Sequence, residues 1–185
     1  MKLKKFNFKS VNSTNDLAIR IIKNSKNQSG IVISEKQKKG RGQYGKKWVS
    51  YKGNLFVSVF FSTNKINLSL KQMTQINCFL IKKLLSFYYK GKIIVKQPND
   101  LLINKKKISG ILQETLTKSN QTFIIIGIGI NLIKNPHMLN YPSTNLSELT
   151  NIKISKNDVI SRLISIYEKF IPKFPKFNVI NINKI

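Results

Sequence analysis

The feature that most constrains this chain is a glycine-rich loop set between two runs that both read as strands. "GIVISEKQ" reads as a short buried strand that enters "KKGRGQYGKKW" at Lys38–Trp48. "GNLFVSVFFS" follows it, rich in the β-branched and aromatic residues that suit a pleated, half-buried surface. Gly40, Gly42 and Gly45 match the dinucleotide fingerprint G-x-G-x-x-G by spacing alone. That fingerprint works when the loop opens a helix whose N-terminus faces the pyrophosphate, with an acidic residue about 20 positions further on to hold a ribose. Here a strand follows, and no Asp or Glu occurs between Gly45 and Ser69. A Rossmann-type site is therefore rejected. Two uses of the loop remain: a basic tongue for nucleic acid, or a flap that closes over a small phosphorylated intermediate.

The rest of the chain alternates helix and strand signals. In "SVNSTNDLAIRIIKN", Ser13 or Thr14 can cap a helix N-terminus by accepting from its free backbone N–H groups. "SLKQMTQINCFLIKKLLSFYY" is the clearest helix, with Met73, Ile76, Phe79, Leu80, Leu84 and Phe87 at helical spacing. "KIIVKQ", "DLLINKKKISGILQETL" and "TFIIIGIGINL" are strand candidates, and Asn104–Lys106 reads as a hairpin turn. A last helix follows Ser155, ended by Pro172 and Pro175, and the tail "KFNVININKI" reads as a strand or a frayed end. This order predicts an α+β fold, a mixed and mainly antiparallel sheet with helices packed on one face. With 185 residues, no repeat and no linker-like tract, one domain over 1–185 is expected.

Charge is the loudest property and the easiest to misread. The net charge is +26, from 33 basic and 7 acidic residues. On its face this suggests a polyanionic partner. Yet the lysines are spread along the whole chain, and arginine occurs only at Arg20, Arg41 and Arg162. The chain is also crowded with Asn, Ile, Phe and Tyr, which share A/T-rich codons with Lys, so drift in genome composition is the preferred source of the charge. A single cysteine, Cys78, cannot form an internal disulfide, and with the lone His137 it cannot make a zinc cluster. His137 reads as surface or core filler. No signal-peptide pattern follows the basic N-terminus, and "FIIIGIGINLI" is too short to span a bilayer. A soluble cytoplasmic protein is expected.

Four polar clusters are embedded in apolar sequence: "NSTND", the glycine loop, "KQPNDLLINKKKISGIL" and "IIIGIGINL". Small-molecule pockets are built this way, with apolar walls and a few placed polar groups. In this order the clusters resemble the catalytic domain of biotin–protein ligases, which has a class II aminoacyl-tRNA synthetase-like fold. "KGRGQYGKKW" is similar to that family's G-R-G-R-x-G-R-x-W loop, and "KQPND…KKISGIL" to its K-W-P-N-D…K-[ILV]-[AS]-G-I-L segment. "GIGIN" is similar to its G-I-G-[IL]-N strand end, and "STN" to its helix start. The likeness spans about Asn12 to Leu132.

The resemblance implies a two-step reaction. Biotin and ATP form biotinyl-adenylate and pyrophosphate, and biotin then passes to a lysine of the biotin carboxyl carrier protein of acetyl-CoA carboxylase. It further implies that Ser13, Thr14, Asn15 and Gln37 bind the ureido head of biotin. Gly40, Arg41 and Gly42 lie over the carboxylate and phosphate, and Lys107 is the chief catalytic cation, with Arg41. Gly110 and Gly127 leave room for the ring and chain, Trp48 stacks on adenine, and Asp100 and Asn131 bind the nucleotide or its Mg²⁺. Bland readings stand beside these. Lys107 sits in a lysine run, Trp48 alone reads more often as core, Asn131 as a turn cap, and Ser13 or Thr14 as a helix cap.

The departures from the family pattern are specific. Gln43 replaces a frequent second arginine of the loop, so the adenylate is expected to be held less tightly. Gln97 replaces a tryptophan beside Asn99. No N-terminal helix-turn-helix domain is expected, and a C-terminal SH3-like domain is expected to be absent or vestigial, so neither specific DNA binding nor membrane association is expected; a weak homodimer is compatible with the sequence. A lipoate or octanoate ligase or transferase is the alternative, although its R-x-S-G-G-G-x-V loop is missing. A non-enzymatic nucleic-acid-binding module, favoured only by charge, is the second alternative.

Overall fold

A computed structural model describes residues 1–63, 68–136 and 141–176. Seven strands form one sheet: β1 (Lys4–Phe8), β2 (Ser29–Ser34), β3 (Leu55–Ser62), β4 (Ile93–Lys96), β5 (Asp100–Ile103), β6 (Lys106–Lys118) and β7 (Gln121–Ile130). Their spatial order is β1-β2-β3-β7-β6-β5-β4, with β1 and β2 parallel and every other pair antiparallel. The helices are α1 (Thr14–Asn24), α2 (Leu70–Leu85), α3 (Leu146–Thr150) and α4 (Lys156–Phe170). Among the described residues no helix is long and apolar enough to cross a membrane. His137 and the tail beyond Lys176 lie outside the described residues.

Local signals account for most of these elements. Ser13, Ser69 and Ser155 cap α1, α2 and α4 by accepting from the backbone N–H groups of Asp16, Gln72 and Asp158. Two-residue turns at Asn104–Lys105 and Ser119–Asn120 have positive φ at both positions, whose backbone twist matches that of the strands they join. α2 ends at Leu85, so Phe87 lies beyond the helix and rests under the Arg162 guanidinium, 4.9 Å away. β1 was not foreseen, because "KKFNF" is exposed at four of its five positions and shows no buried face.

The mixed sheet with packed helices is as expected, but the helices are not all on one face. Successive strand side chains point to opposite faces. Ile124, Ile126, Ile128 and Ile130 of β7 and Leu55, Val57, Val59 and Phe61 of β3 pack with α2 and α4 in the main core. Phe123 and Ile125 of β7 and Phe60 of β3 pack against Ala18 and Ile22 of α1 in a second, smaller cluster. α1 therefore covers the opposite face, and only one end of it. The other end of that face is where the polar motifs meet.

Candidate active site

The floor of the site follows from strand parity. Gly127 and Gly129 share a face of β7 with Phe123 and Ile125, so the strand that is apolar under α1 becomes bare further along. Across the ladder Gly129 pairs with Gly110 of β6. Lys107 and Gly110 are three residues apart, and an uninterrupted strand would put them on opposite faces. A register shift between β5 and β6 leaves Ile108 as an extra residue, since Leu101 pairs with Ser109 and Leu102 with Lys107. Ile108 turns into the main core, and Lys107 and Gly110 both line the cleft, a re-aiming that β-bulges commonly perform.

Over this floor lies a cleft of about 890 Å³. At one end the start of α1 brings Thr14 and Asn15 down onto Ser58 of β3. The backbone N–H of Thr14 donates to Gln37 Oε1 at 2.8 Å. Ser58 Oγ lies 2.8 Å from Thr14 Oγ1 and also within hydrogen-bond reach of Asn15 Oδ1, so its one proton serves one of them at a time. Asn15 Nδ2 donates to Leu112 O at 3.2 Å and to Glu114 Oε2 at 2.6 Å, which fixes its amide orientation. Asn15 Oδ1 then points at Gly127, where a Cβ would lie 2.4 Å from it. Thr14, Asn15 and Ser58 are almost fully buried, and their polar groups are hydrogen-bonded within the protein.

The glycine loop is a small folded hairpin. Trp48 N–H donates to Gly40 O at 2.9 Å and Gly42 N–H to Lys46 O at 2.6 Å. A 3₁₀ turn at Gln43–Gly45 forms its tip, where Tyr44 and Gly45 have positive φ and Tyr44 is 91% exposed. Gly40 sits at the base: a Cβ there would meet Trp48 O at 2.6 Å. Arg41 is clamped by carboxylates. NH1 and NH2 each reach Glu114 Oε1 at 3.0 Å, NH2 reaches Glu114 Oε2 at 2.8 Å, and NH2 also reaches Asp16 Oδ1 at 2.7 Å. The Glu114 hydrogen bonds first, and the charges of Glu114 and Asp16 with them, raise the guanidinium above its ordinary pKa against the opposing effect of partial burial.

Trp48 lies across the glycine pair. A Cβ on Gly129 would come within 2.4 Å of its ring, and one on Gly110 within 2.8 Å. Its Nε1 is buried and has no hydrogen-bond partner. Lys107 Nζ sits 5.3 Å from the Trp48 ring centre and 5.1 Å from that of Tyr141, and 2.7 Å from Asp100 Oδ1. The Tyr141 hydroxyl donates to Asp100 Oδ2. Burial first, and then the Asp100 hydrogen bond and charge, push Tyr141 up to about 12, so it stays a donor. The ammonium is thus held by one carboxylate and two aromatic faces, with no fixed geometry of its own.

Twelve of the fourteen residues expected to form the site line this one cleft: Ser13, Thr14, Asn15, Gln37, Arg41, Gly42, Gln43, Trp48, Asp100, Lys107, Gly110 and Gly127. Gly40 and Asn131 do not. Asn131 is buried, and its Nδ2 donates to Thr144 O at 3.1 Å and reaches Lys107 O at 3.5 Å. With Lys107 N–H donating to Pro142 O at 2.9 Å, it fixes the backbone that carries the lysine. The space at Gly110 and Gly127 is filled by Trp48, the Lys107 stem and Asn15 rather than left open. Ser58, Glu114 and Tyr141 escaped the sequence reading. They lie outside the motifs, and only strand parity could have pointed to Ser58 and Glu114. Among the described residues no group of three or more His, Cys, Asp or Glu side chains could hold a metal; Asp100 Oδ2 accepts from Tyr141, and Oδ1 is buried beside the Lys107 ammonium without a hydrogen bond of good geometry.

Comparison with known proteins places this geometry. A profile described as the biotin/lipoate A/B protein ligase family matches residues 7–131. The chain is 29% identical over 165 residues to the "bifunctional ligase/repressor BirA" of Bacillus spizizenii, covering 86% of this chain and 51% of that protein. It is 26% identical over 159 residues to the "biotin–[acetyl-CoA-carboxylase] ligase" of Mycobacterium tuberculosis, covering 82% of this chain and 58% of that protein. It superposes on the biotin protein ligase of Aquifex aeolicus in complex with biotin and ATP with a TM-score of 0.81 and 25% identity, over 95% of this chain and 73% of the other. The chain thus spans between about half and three-fifths of the length of these two curated relatives.

Proposed function

Because this chain belongs to the biotin/lipoate A/B protein ligase family, we propose that it is an ATP-dependent biotin–protein ligase. The observation that carries this reading is the convergence on one cleft of a polar head-group site at Thr14–Asn15, a bare glycine floor, and two placed cations, Lys107 and Arg41. In the first step a carboxylate oxygen of biotin attacks the α-phosphorus of ATP, and the bond to the bridging oxygen breaks to release pyrophosphate. In the second, the ε-amine of a carrier lysine attacks the acyl carbon, expelling AMP and losing a proton. Neither step needs a protein nucleophile. Both shift negative charge, and fixed cations and N–H groups aimed at that charge are the main catalytic means.

Lys107 suits the first step. Its flexible ammonium can turn from Asp100 to an incoming carboxylate and α-phosphate without leaving the aromatic walls. Asp100, held by Tyr141, keeps that cation in place until then. Trp48 presents a flat apolar face over the glycine pair, suited to a ring or an alkyl chain. Mg²⁺ binds through one or two carboxylates plus substrate phosphates, and with Asp100 already engaged the ion is assigned to the nucleotide. The proposed acceptor is the biotin carboxyl carrier protein of acetyl-CoA carboxylase, and the proposed setting is the cytoplasm.

The test is direct. The chain is incubated with ATP, Mg²⁺, biotin and a biotin carrier domain, and the carrier is examined for a single modified lysine. Biotinylated carrier is the expected result. Lipoyl or octanoyl transfer in its place, or tight salt-sensitive RNA binding without any transfer, overturns the reading.

A further inference from the structure

Only seven residues of the chain are acidic, and three of them pair with the two cations of the cleft. Glu114 differs from the other two in what else it touches. Its carboxylate accepts from both NH1 and NH2 of Arg41, and the same Oε2 accepts from Asn15 Nδ2 at 2.6 Å. Asp16 reaches Arg41 but has no contact with the Asn15 side chain, and Asp100 serves Lys107 alone of the two cations. Glu114 therefore joins two parts of the site that are far apart in sequence: the helix-start amide at the head-group end and the first arginine of the flap.

The donor inventory gives this contact a consequence. Asn15 Nδ2 has two protons, and both are used, one on Leu112 O and one on Glu114. Asn15 Oδ1 is consequently the acceptor beside Gly127, within reach of the Ser58 hydroxyl and with further lone-pair capacity toward the cleft. If Glu114 swings away with Arg41, the Asn15 amide loses its one charge-assisted anchor and is held only by Leu112 O and the shared Ser58 hydroxyl, so the orientation of Oδ1 is less firmly fixed. Conversely, a ligand N–H that engages Oδ1 holds Asn15, and through it Glu114, in the position that receives Arg41. Charge-assisted, bidentate hydrogen bonds of this kind are both stronger and more directional than neutral ones.

We propose that Glu114 is a positioning residue that couples occupancy of the head-group end of the cleft to the seating of Arg41 and its flap. The proposal rests on the biotin reading above. It predicts cooperation between two groups that need not share a contact with the ligand, which separate side chains lining one pocket would not show.

The experiment is a double-mutant cycle on biotin binding to the full chain without ATP, so that no phosphate contact contributes. Glu114→Gln keeps the shape of the side chain and an acceptor for Asn15 but removes the charge that holds Arg41. Glu114→Gln and Arg41→Met are each expected to weaken biotin by about tenfold, the scale of one charge-assisted hydrogen bond, and the double variant by about tenfold rather than about a hundredfold. Glu114→Asp, one methylene shorter and still charged, is expected to recover part of the loss. Asp16→Asn removes a more exposed partner of Arg41 without touching Asn15, and is expected to change binding by less than about threefold. Multiplicative losses in the double variant, or an Asp16→Asn effect equal to that of Glu114→Gln, overturn the coupling. Melting curves of each variant separate these results from loss of fold, and should Glu114→Gln unfold, the Glu114→Asp and Asp16→Asn results decide. Wild-type protein that binds no biotin would sink the functional reading itself, whereas tight wild-type binding with independent variants sinks only this inference.

Discussion

The two faces of the sheet use the same strands for opposite purposes. On the α2/α4 face, β7 presents Ile124, Ile126, Ile128 and Ile130, all buried, and the hydrophobic effect alone explains the packing. On the other face the same strand presents Phe123 and Ile125 under α1, then Gly127 and Gly129 under Asn15 and Trp48. One face is closed by volume. The other is closed by α1 only at one end and otherwise by a hairpin, a polar cluster and three ion pairs, so it can be rearranged at smaller cost. Stability is concentrated on one side of the sheet and chemistry on the other.

The widest separation should come from Lys107. Lys107→Met is expected to lower biotinyl-adenylate formation by about 10²- to 10³-fold, the scale seen on removing one group that stabilises developing charge. Its melting temperature should fall as well, because the buried Asp100 carboxylate loses its cation and keeps only the Tyr141 hydroxyl, so the rate is compared below the melting range of the variant. Pyrophosphate release measures the first quantity. A rate loss below tenfold would mean that Lys107 is a surface lysine like its neighbours.

A pair of substitutions on β7 then sets the two faces against each other. Ile126→Ala, in the helix-covered core, is expected to cost about 3 kcal/mol in denaturant unfolding, from lost burial and the cavity left behind. Gly129→Ala places a methyl against the Trp48 ring, and this overpacking is expected to cost about 1–2 kcal/mol. Activity should rank the other way, with Gly129→Ala losing up to about 10²-fold through displacement of Trp48. The same order in both assays would erase the division of labour.

Cys78 tests how dry the helix-covered side is. It is fully buried on α2, and burial first, then the Asp100 charge, push its thiol up to about 12. A thiol raised in the folded state stays protonated while the unfolded chain ionises near pH 8.5. Its stabilising contribution is therefore present below about pH 8.5 and is lost as pH rises toward about 12, by up to about 1.4 kcal/mol per pH unit. Cys78→Ala should flatten that part of the stability profile. An unchanged slope would show that the thiol does not cause it.

The smallest effect is expected at the flap tip. Gln43 lines the cleft with a neutral amide, and Gln43→Arg is expected to slow escape of biotinyl-adenylate by about fivefold, the gain of a charged over a neutral hydrogen bond. Released adenylate and stray lysine labelling report it. If neither changes, the missing charge at this position is without consequence.

The three longer helices, the main strands and the motif residues were legible because their signals are local: capping serines, helical or alternating periodicity, glycines at turns; the five-residue α3, capped by Asn145, is too short to show a period and was not. β1 was not, since a short polar strand is held only by its parallel neighbour β2. Nor was the place of α1, because an amphipathic helix shows that it has a buried side and not which face of a sheet receives it. Asn131 reads as a ligand from its motif, and the structure turns its amide toward Thr144 O and Lys107 O, a direction that the motif alone does not give.

The sequence by itself determined which groups are available: a glycine-rich cationic loop, one lysine ahead of Ile-Ser-Gly, and a polar helix start. Only the tertiary structure decided how these groups meet. A bulge at Ile108 turns Lys107 toward the cleft, the glycine pair receives Trp48, and Glu114 reaches both Asn15 and Arg41. The physical reason is that residue type is a property of each position, whereas facing is a property of register. A shift of one residue reverses the facing without changing a single letter.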